Sequence, residues 1–491
     1  MRNKTYKKKG NKRQRHKKTR GGRAIDAGSY GCVFDPPLKC ADKSIPYNPN
    51  NISKLMYKRD AYSEMEEMKK VGEFIKKIPN NDKYFIVANT SSCAPDLITD
   101  KEDLLSFDKK CELFTKHGID SYNVNEQISK LELINMPNGG LSIDNFLLKI
   151  IDMPNRYSAF IKLNNALIEL LKNGIVPINK MGFHHYDIKA GNILFSSDGN
   201  ARLIDWGLAG GNDGTTIPEV IKDRSIAFNM PFSDIFFNSY IKKWLPEEIK
   251  RIKASAMFKN KNDGQAELLK VIAVNLINKS IQETSEGHYD YLIRNILHDI
   301  YKIYADRNNY NKLDYNVLTY NVLIEYIQAV LVQFVDENGN FDDVRYYYEV
   351  FVHNVDVWGF ILAYAPMIED GYGILHKDII NGLCRIFLKY CFSPEFATKP
   401  IVVSELTDDL SSLNSIAKSI PISNAPVKSK LTLKNNKPMN LIMPAANKMP
   451  MGNKMPMGNK MRGISKMPAN NIIANNTYMS NNMPIRTNYN V

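Results

Sequence analysis

His184-His185-Tyr186-Asp187-Ile188-Lys189-Ala190-Gly191-Asn192-Ile193-Leu194 is followed, eighteen residues after Asp187, by Leu203-Ile204-Asp205-Trp206-Gly207. Asp, Lys, Asn and a second Asp stand in the order that phosphoryl transfer asks for. Asp187 can accept the proton of an attacking hydroxyl, and Lys189 can steady the moving phosphoryl group. The Asn192 amide oxygen and Asp205 can hold Mg²⁺ against the phosphates of ATP. The apolar runs Ile193-Leu194-Phe195 and Ala201 to Ile204 read as short strands presenting the two metal ligands. The bland alternative is two polar turns that coincide by chance.

These stretches resemble the catalytic loop H-R-D-L-K-x-x-N and the metal motif D-F-G of the eukaryotic-type protein kinases, matching at His185, Asp187, Lys189, Asn192, Asp205 and Gly207. They depart from the family at Tyr186, where it usually has Arg, and at Trp206, where it has Phe. In the family that Arg commonly grips a phosphorylated activation-loop residue, so the resemblance leaves such a switch without its cation here. Upstream, Ile25-Asp26-Ala27-Gly28-Ser29-Tyr30-Gly31-Cys32-Val33-Phe34 resembles the family's glycine-rich loop with Asp26 in place of the first glycine. The resemblance implies that Ala27, Gly28, Ser29, Tyr30 and Gly31 bring backbone N–H groups to the phosphates and that Val33 covers the adenine. Gly-Ser-Tyr-Gly is also ordinary turn chemistry.

Ile52-Ser53-Lys54-Leu55 resembles V-A-I-K, which implies that Lys54 contacts the α- and β-phosphates and pairs with a helix glutamate. Glu64 and Glu67 lie three apart on one helical face and both qualify; family spacing favours Glu67. Leu131 to Gly140 would be the last strand of the small lobe and its hinge, with backbone groups near Asn135 and Met136 facing the adenine edge. Val355-Asp356-Val357-Trp358-Gly359 resembles D-V-W-S-x-G, in which a buried Asp holds the catalytic-loop backbone; an ordinary helix N-cap is the alternative. On that match 148 residues separate Gly207 from Asp356, where the family has a few tens. Helical spacing within this stretch reads as an insertion over about 235–350. No A-P-E motif is evident, and Asn229 to Ser233 is the candidate floor of the substrate groove.

The expected fold class is α+β, a bilobal kinase-like fold. A β-rich lobe covers about 25–140 and an α-rich lobe about 141–420. Strands are expected over Ile25–Leu38, Ile52–Tyr57 and Asn125–Met136, and a helix over Ala61–Ile78. Further helices are expected over Tyr157–Gly174, Glu247–Lys253, Ala266–Gln282, Tyr289–Ala305, Tyr315–Val335, Val355–Ile368 and Ile379–Tyr390. Asp336-Glu337-Asn338-Gly339-Asn340 reads as a turn and not a calcium loop, because its glycine comes early and position twelve is Tyr347.

The chain has 491 residues and a net charge of +13, unevenly placed. Residues 1–24 hold twelve Lys/Arg and no acid, and 421–491 hold ten and no acid, so the stretch between is net acidic. Both flanks lack the apolar side chains to offset ordering entropy and read as a mobile basic arm and a low-complexity tail. The arm suits non-specific nucleic-acid contact through counterion release. Six cysteines without regular spacing argue against a disulfide framework and for a reducing compartment. The longest apolar stretch, around Val357 to Ile368, falls short of the roughly 20 residues of a membrane helix. The expected setting is intracellular, cytoplasmic or nuclear, or within a virion, without a membrane.

The divergent motifs, the Asn/Ile/Lys/Tyr-heavy composition and the tandem-repeat tail together resemble the serine/threonine protein kinases of giant DNA viruses. That resemblance implies ATP and Mg²⁺ as cofactors and protein substrates bearing Ser or Thr. Lys189, two residues after Asp187, favours Ser/Thr over Tyr within the family. Leu203-Ile204-Asp205-Trp206 also resembles the I-D-W of aminoglycoside and choline kinases, so a small-molecule acceptor is the second reading. A non-catalytic scaffold is the third.

Overall fold

Alternating faces in Asn51-Ile52-Ser53-Lys54-Leu55-Met56-Tyr57 build β3 (Asn51–Tyr57), a central strand of a five-stranded antiparallel sheet. The other strands are β1 (Arg23–Gly28), β2 (Gly31–Asp35), β4 (Ser91–Cys93) and β5 (Leu131–Pro137), in the order β1-β2-β3-β5-β4. The computed structural model describes residues 23–28, 31–87, 90–150, 153–254, 264–285, 287–308, 315–336, 338–369 and 375–420. Of the arm expected over 1–24, Arg23 and Ala24 belong instead to β1, while residues 1–22, Ser29, Tyr30 and the tail over 421–491 lie outside the described residues.

Register assigns each face of this sheet its partner. Val33, Lys54 and Ile134 stand opposite one another, as do Ile52 and Met136, and share one face. On that face α1 (Lys58–Ile75) packs through Ala61, which joins Met56 and Ile134 with Met65 and Met136 around them. The helix begins straight after β3, three residues earlier than its apolar spacing suggests. The other face carries Cys32, Phe34, Leu55 and Leu133 and is covered by the 98–128 segment through Phe107, Cys111 and Phe114, all buried. That cover is built from short helices, Phe107–Lys110 and Glu112–Lys116 among them, too short to leave a periodic signal.

Two disulfides tie this region together, Cys32–Cys111 and Cys40–Cys93, with Cα–Cα distances of 5.2 and 5.7 Å. They correct the expectation of unpaired cysteines in a reducing compartment. Partners 79 and 53 residues apart are brought together by the sheet, which no sequence spacing discloses. Cys384 and Cys391 are buried free thiols, and burial pushes Cys384 up to about 12 and Cys391 well above its ordinary range.

Past β5 the chain turns helical, so the architecture is α+β with its larger sheet on the N-terminal side. A three-stranded sheet holds β6 (Leu141–Ser142), β8 (Ile193–Phe195) and β9 (Ala201–Leu203), and β7 (Phe183–His184) pairs with β10 (Gly210–Gly211). The principal helices are α2 (Arg156–Leu170), α3 (Ser239–Lys253), α4 (Gly264–Glu283), α5 (His298–Asn308), α6 (Tyr315–Phe334), α7 (Val352–Leu362), α8 (Lys377–Ile386) and α9 (Val403–Ser419). Most match the expected helices within a few residues. Two do not: α3 starts at Ser239, where Asn238 caps it by accepting from Tyr240 N–H, and α9 was not anticipated. The latter docks on α2 through buried amides, Asn164 donating to Leu410 O at 2.8 Å and to Asn414 Oδ1 at 2.9 Å.

The helices of 235–350 are not an appendage. Ile272, Leu276, Ile296, Ile327 and Leu331 are buried in the same core as Trp358 and Ile188. Helical runs over Val317–Phe334 and Asp343–Glu369 are long and apolar enough to span a bilayer, longer than the sequence suggested. Half of the first and 89% of the second are buried inside the protein. Asp336 accepts from Asn338 N–H and Asn340 N–H, the turn expected there.

Non-reducing peptide mapping should recover the 32–111 and 40–93 cross-links. Reduction should lower unfolding free energy by about 2–5 kcal/mol, while Cys384 and Cys391 react with thiol reagents only after unfolding. Four fast-reacting thiols in the native, unreduced protein would refute the pairing.

Candidate active site

The site hangs from one carboxylate. Asp356 sits mid-helix in α7, 1% exposed, which excludes an N-cap role. Its oxygens accept from His185 N–H and Tyr186 N–H, each at 2.9 Å. Asn179, in the amide orientation that satisfies both of its ends, donates to the same carboxylate at 2.9 Å. A buried carboxylate with three donors is held where an unpaired one would be expelled. One turn away, a Cβ on Gly359 would lie 2.5 Å from Ile188 O, so α7 and the loop touch backbone to backbone. Trp358 Nε1 donates to Phe228 O at 3.2 Å and anchors the 225–229 stretch to the same helix.

Suspended this way, the loop brings together the residues expected from sequence. Lys189 Nζ lies 2.8 Å and Asn192 Nδ2 3.0 Å from Asp187 Oδ2, and Asn192 Nδ2 also donates to the Asp187 carbonyl at 2.9 Å. Asn229 Nδ2 donates to Asp187 Oδ1 at 2.9 Å and to Ile188 O at 3.2 Å. Asn229 therefore does more than floor a groove: it orients the carboxylate from 42 residues away. Tying down the Asn192 amide nitrogen leaves its oxygen for a cation.

The β8–β9 register, Ile193 opposite Leu203, sets Asn192 beside Ile204, whose N–H donates to Asn192 O at 3.0 Å. Asp205 follows at once, exposed and at φ 64°, a left-handed conformation costly for a side chain and common at functional sites. Its carboxylate makes no hydrogen bond or ion pair among the described residues. The hard oxygens of Asn192 and Asp205 at one hairpin end, one fixed and one free, fit the donor chemistry of Mg²⁺.

Trp206 is buried among aromatic rings, its Nε1 without a hydrogen-bond partner among the described residues. Its ring centroid is 4.7 Å from His185, 5.6 Å from Phe85 and 6.4 Å from Phe183, and Phe183 stacks on Phe74 of α1 at 4.4 Å. This aromatic file links α1 to the loop. His184 and His185 are both buried, and burial depresses the His184 pKa. Tyr186, also left-handed at φ 57°, buries its hydroxyl against Tyr347 at 2.6 Å. Tyr348 donates to Thr216 O at 2.7 Å, and Asp213 accepts from Thr215 and Thr216 N–H. The segment after Gly207 is thus tethered by tyrosines and an Asp-capped turn.

Lys54 Nζ is 2.6 Å from Glu64 Oε2, both side chains four-fifths buried. This corrects the preference for Glu67. That residue lies one turn further along α1, and its Oε2 would be 3.8 Å from a Cβ on Gly207, so it reaches toward the residues after Asp205. Ala27 and Gly28 lie in β1, opposite Cys32 and Gly31. Gly31 has a packing reason of its own: a Cβ there would lie 2.5 Å from Leu55 O on β3.

The hinge expectation also shifts. Asn138 N–H donates to Asn50 O at 3.3 Å, and because bonded pairs alternate along an antiparallel ladder, Met136 spends its backbone groups on Ile52. Asn135 turns its own toward Ser91 of β4. Met136 contributes its side chain to the α1-facing cluster instead.

Sequence spacing gave no signal for Arg224 or Asp234. Arg224 Nη1 donates to Tyr186 O at 3.3 Å; burial lowers its pKa while Asp187 and Asp234 hold it up. Both Asp234 oxygens are buried without a hydrogen bond, and burial raises its pKa to about 8 against the pull of Arg224.

The raised Asp234 pKa fixes the sign of a pH effect. Between the unfolded value of 3.8 and about 8 the folded state holds the extra proton, so stability falls as pH rises through that window. Urea unfolding should show this slope, at most about 1.4 kcal/mol per pH unit from this group, and Asp234→Asn should flatten it. An unchanged slope in that variant would refute the assignment. Replacing Asp356 by Ala strands two loop N–H groups at about 1–3 kcal/mol each; the expected result is a lower Tm and loss of the site's function together. Compared with known proteins, the chain matches no family model and no curated protein.

Proposed function

We propose that the chain is an ATP-dependent serine/threonine protein kinase of bilobal design, its small lobe over 25–140 and its large lobe over 141–420. The observation that carries this reading is the Asp187 carboxylate, 7% exposed, held by Lys189, Asn192 and Asn229, with Asp205 following directly on Ile204, whose N–H bonds Asn192 O.

Three fixed donors orient Asp187: Oδ2 takes Lys189 and Asn192, while Oδ1 takes only Asn229 and retains accepting capacity for an incoming hydroxyl. In the proposed step a Ser or Thr oxygen bonds to the γ-phosphorus, its proton passes to Asp187, and the bond to the β–γ bridging oxygen breaks to release ADP. Lys189, 2.8 Å from the base, offsets charge on the transferring group. Lys54, locked by Glu64, meets the α- and β-phosphates. Asn192 and Asp205 would hold Mg²⁺, which neutralises phosphate charge and aligns the γ-phosphoryl when bound. The tyrosine tethers on the 207–216 segment support a kinase that needs no activation-loop phosphate. The Ile204-Asp205-Trp206 sequence keeps a small-molecule acceptor as the second reading, which acceptor choice separates from the first.

With labelled ATP and Mg²⁺, wild-type protein should place γ-phosphate on Ser/Thr of itself or a generic acceptor protein. Asp187→Asn should reduce the rate at least about 100-fold. Glu64→Gln should weaken nucleotide affinity more than Glu67→Gln does. Transfer that survives Asp187→Asn, or none from a folded wild type across acceptors and metals, would overturn the reading.

A further inference from the structure

The helical stretch between Gly207 and Asp356 reaches the 225–229 strip through Ser285, Gly287 and His288. Ser285 Oγ and Ser225 Oγ are 2.7 Å apart, and His288 N–H donates to Ile226 O at 2.8 Å. Gly287, at φ 53°, is pressed so closely that a Cβ would lie 2.4 Å from Ile226 O. The His288 ring meets Phe228 edge-on at 5.3 Å. The next residue is Asn229, which grips Asp187. Two polar contacts, a glycine at positive φ and an aromatic contact thus clamp this turn onto the strip that positions the proposed base.

The clamp leaves the His288 imidazole half-buried within electrostatic reach of Lys189, Asp187 and Arg224. Burial and the two cations favour its neutral form, which offers one N–H donor and one acceptor nitrogen. The imidazole makes no hydrogen bond among the described residues and touches Phe228 only edge-on, so its nitrogens are available to a chain entering beside Asn229. From this geometry we infer that His288 is a positioning residue for the phosphoacceptor segment, fixing the main chain next to the Ser or Thr that Asp187 deprotonates. The inference rests on the kinase reading and assigns the helical insertion a part in acceptor choice.

The test uses the full-length protein with MgATP and dephosphorylated casein as acceptor. His288→Ala should raise the acceptor KM about fivefold or more while the ATP KM stays within about twofold; His288→Gln, which keeps a donor and an acceptor, should recover most of the loss. Equal changes in both KM values, or none in either, would overturn the role. Placement is checked without turnover by following the His288 imidazole titration by NMR, assigned by its absence in His288→Gln. Lys189→Met should raise that pKa, and an indifferent pKa would overturn the placement. A wild type that transfers no phosphate while this coupling is intact overturns the reaction and the role given to His288, and leaves the placement standing.

Discussion

A buried carboxylate in the middle of an apolar helix is costly unless it is hydrogen-bonded, and Asp356 takes three donors. It accepts from two consecutive loop N–H groups and from Asn179, and the loop they belong to carries the proposed base, its lysine and a metal ligand. Gly359 lets Ile188 pass at backbone distance, and Trp358 holds the strip that ends in Asn229. One helix therefore fixes both flanks of Asp187. Loss of that carboxylate would release the loop from the core before it altered any reacting group.

The same helix explains why the long stretch between Gly207 and Asp356 is compatible with an intact site. Its apolar faces join the core around Trp358, so its length is absorbed as packing. Tyr347, at the entrance to α7, meets the Tyr186 hydroxyl, and Tyr348 meets the segment that follows Gly207. Where the kinase motif has an arginine awaiting a phosphate, this chain buries a hydroxyl pair. Burial of both phenols raises their pKa values and keeps them as neutral hydrogen-bonding groups.

Residues close in sequence around the site were legible because their spacing is set locally: Asp187, Lys189 and Asn192 share one loop, and Asp205 follows a short hairpin. Helices with a long apolar period, such as α4 and α6, were legible for the same reason. What escaped depends on distance through the fold. The disulfides join residues 79 and 53 apart across a sheet face whose cover is made of single-turn helices. Choosing Glu64 over Glu67 required the rotation of α1 relative to β3, which the spacing of two glutamates three apart on one helical face does not encode. Which backbone groups near Met136 face β3 depends on ladder register, fixed here by Asn50 and Asn138 and not readable from spacing. Asp234 and Arg224 meet only once the chain after Gly207 has folded back on the catalytic loop.

The central claim is that this loop and the hairpin beside it form a Mg²⁺-dependent ATP site. Calorimetric titration of the full-length protein with ATP, with and without Mg²⁺, tests it most directly when wild type, Asp205→Asn and Asp187→Asn are compared. The account predicts binding that requires Mg²⁺, is lost or strongly weakened in Asp205→Asn, and persists in Asp187→Asn. Absence of ATP binding by the folded wild type, or binding indifferent to both Mg²⁺ and Asp205, would contradict it.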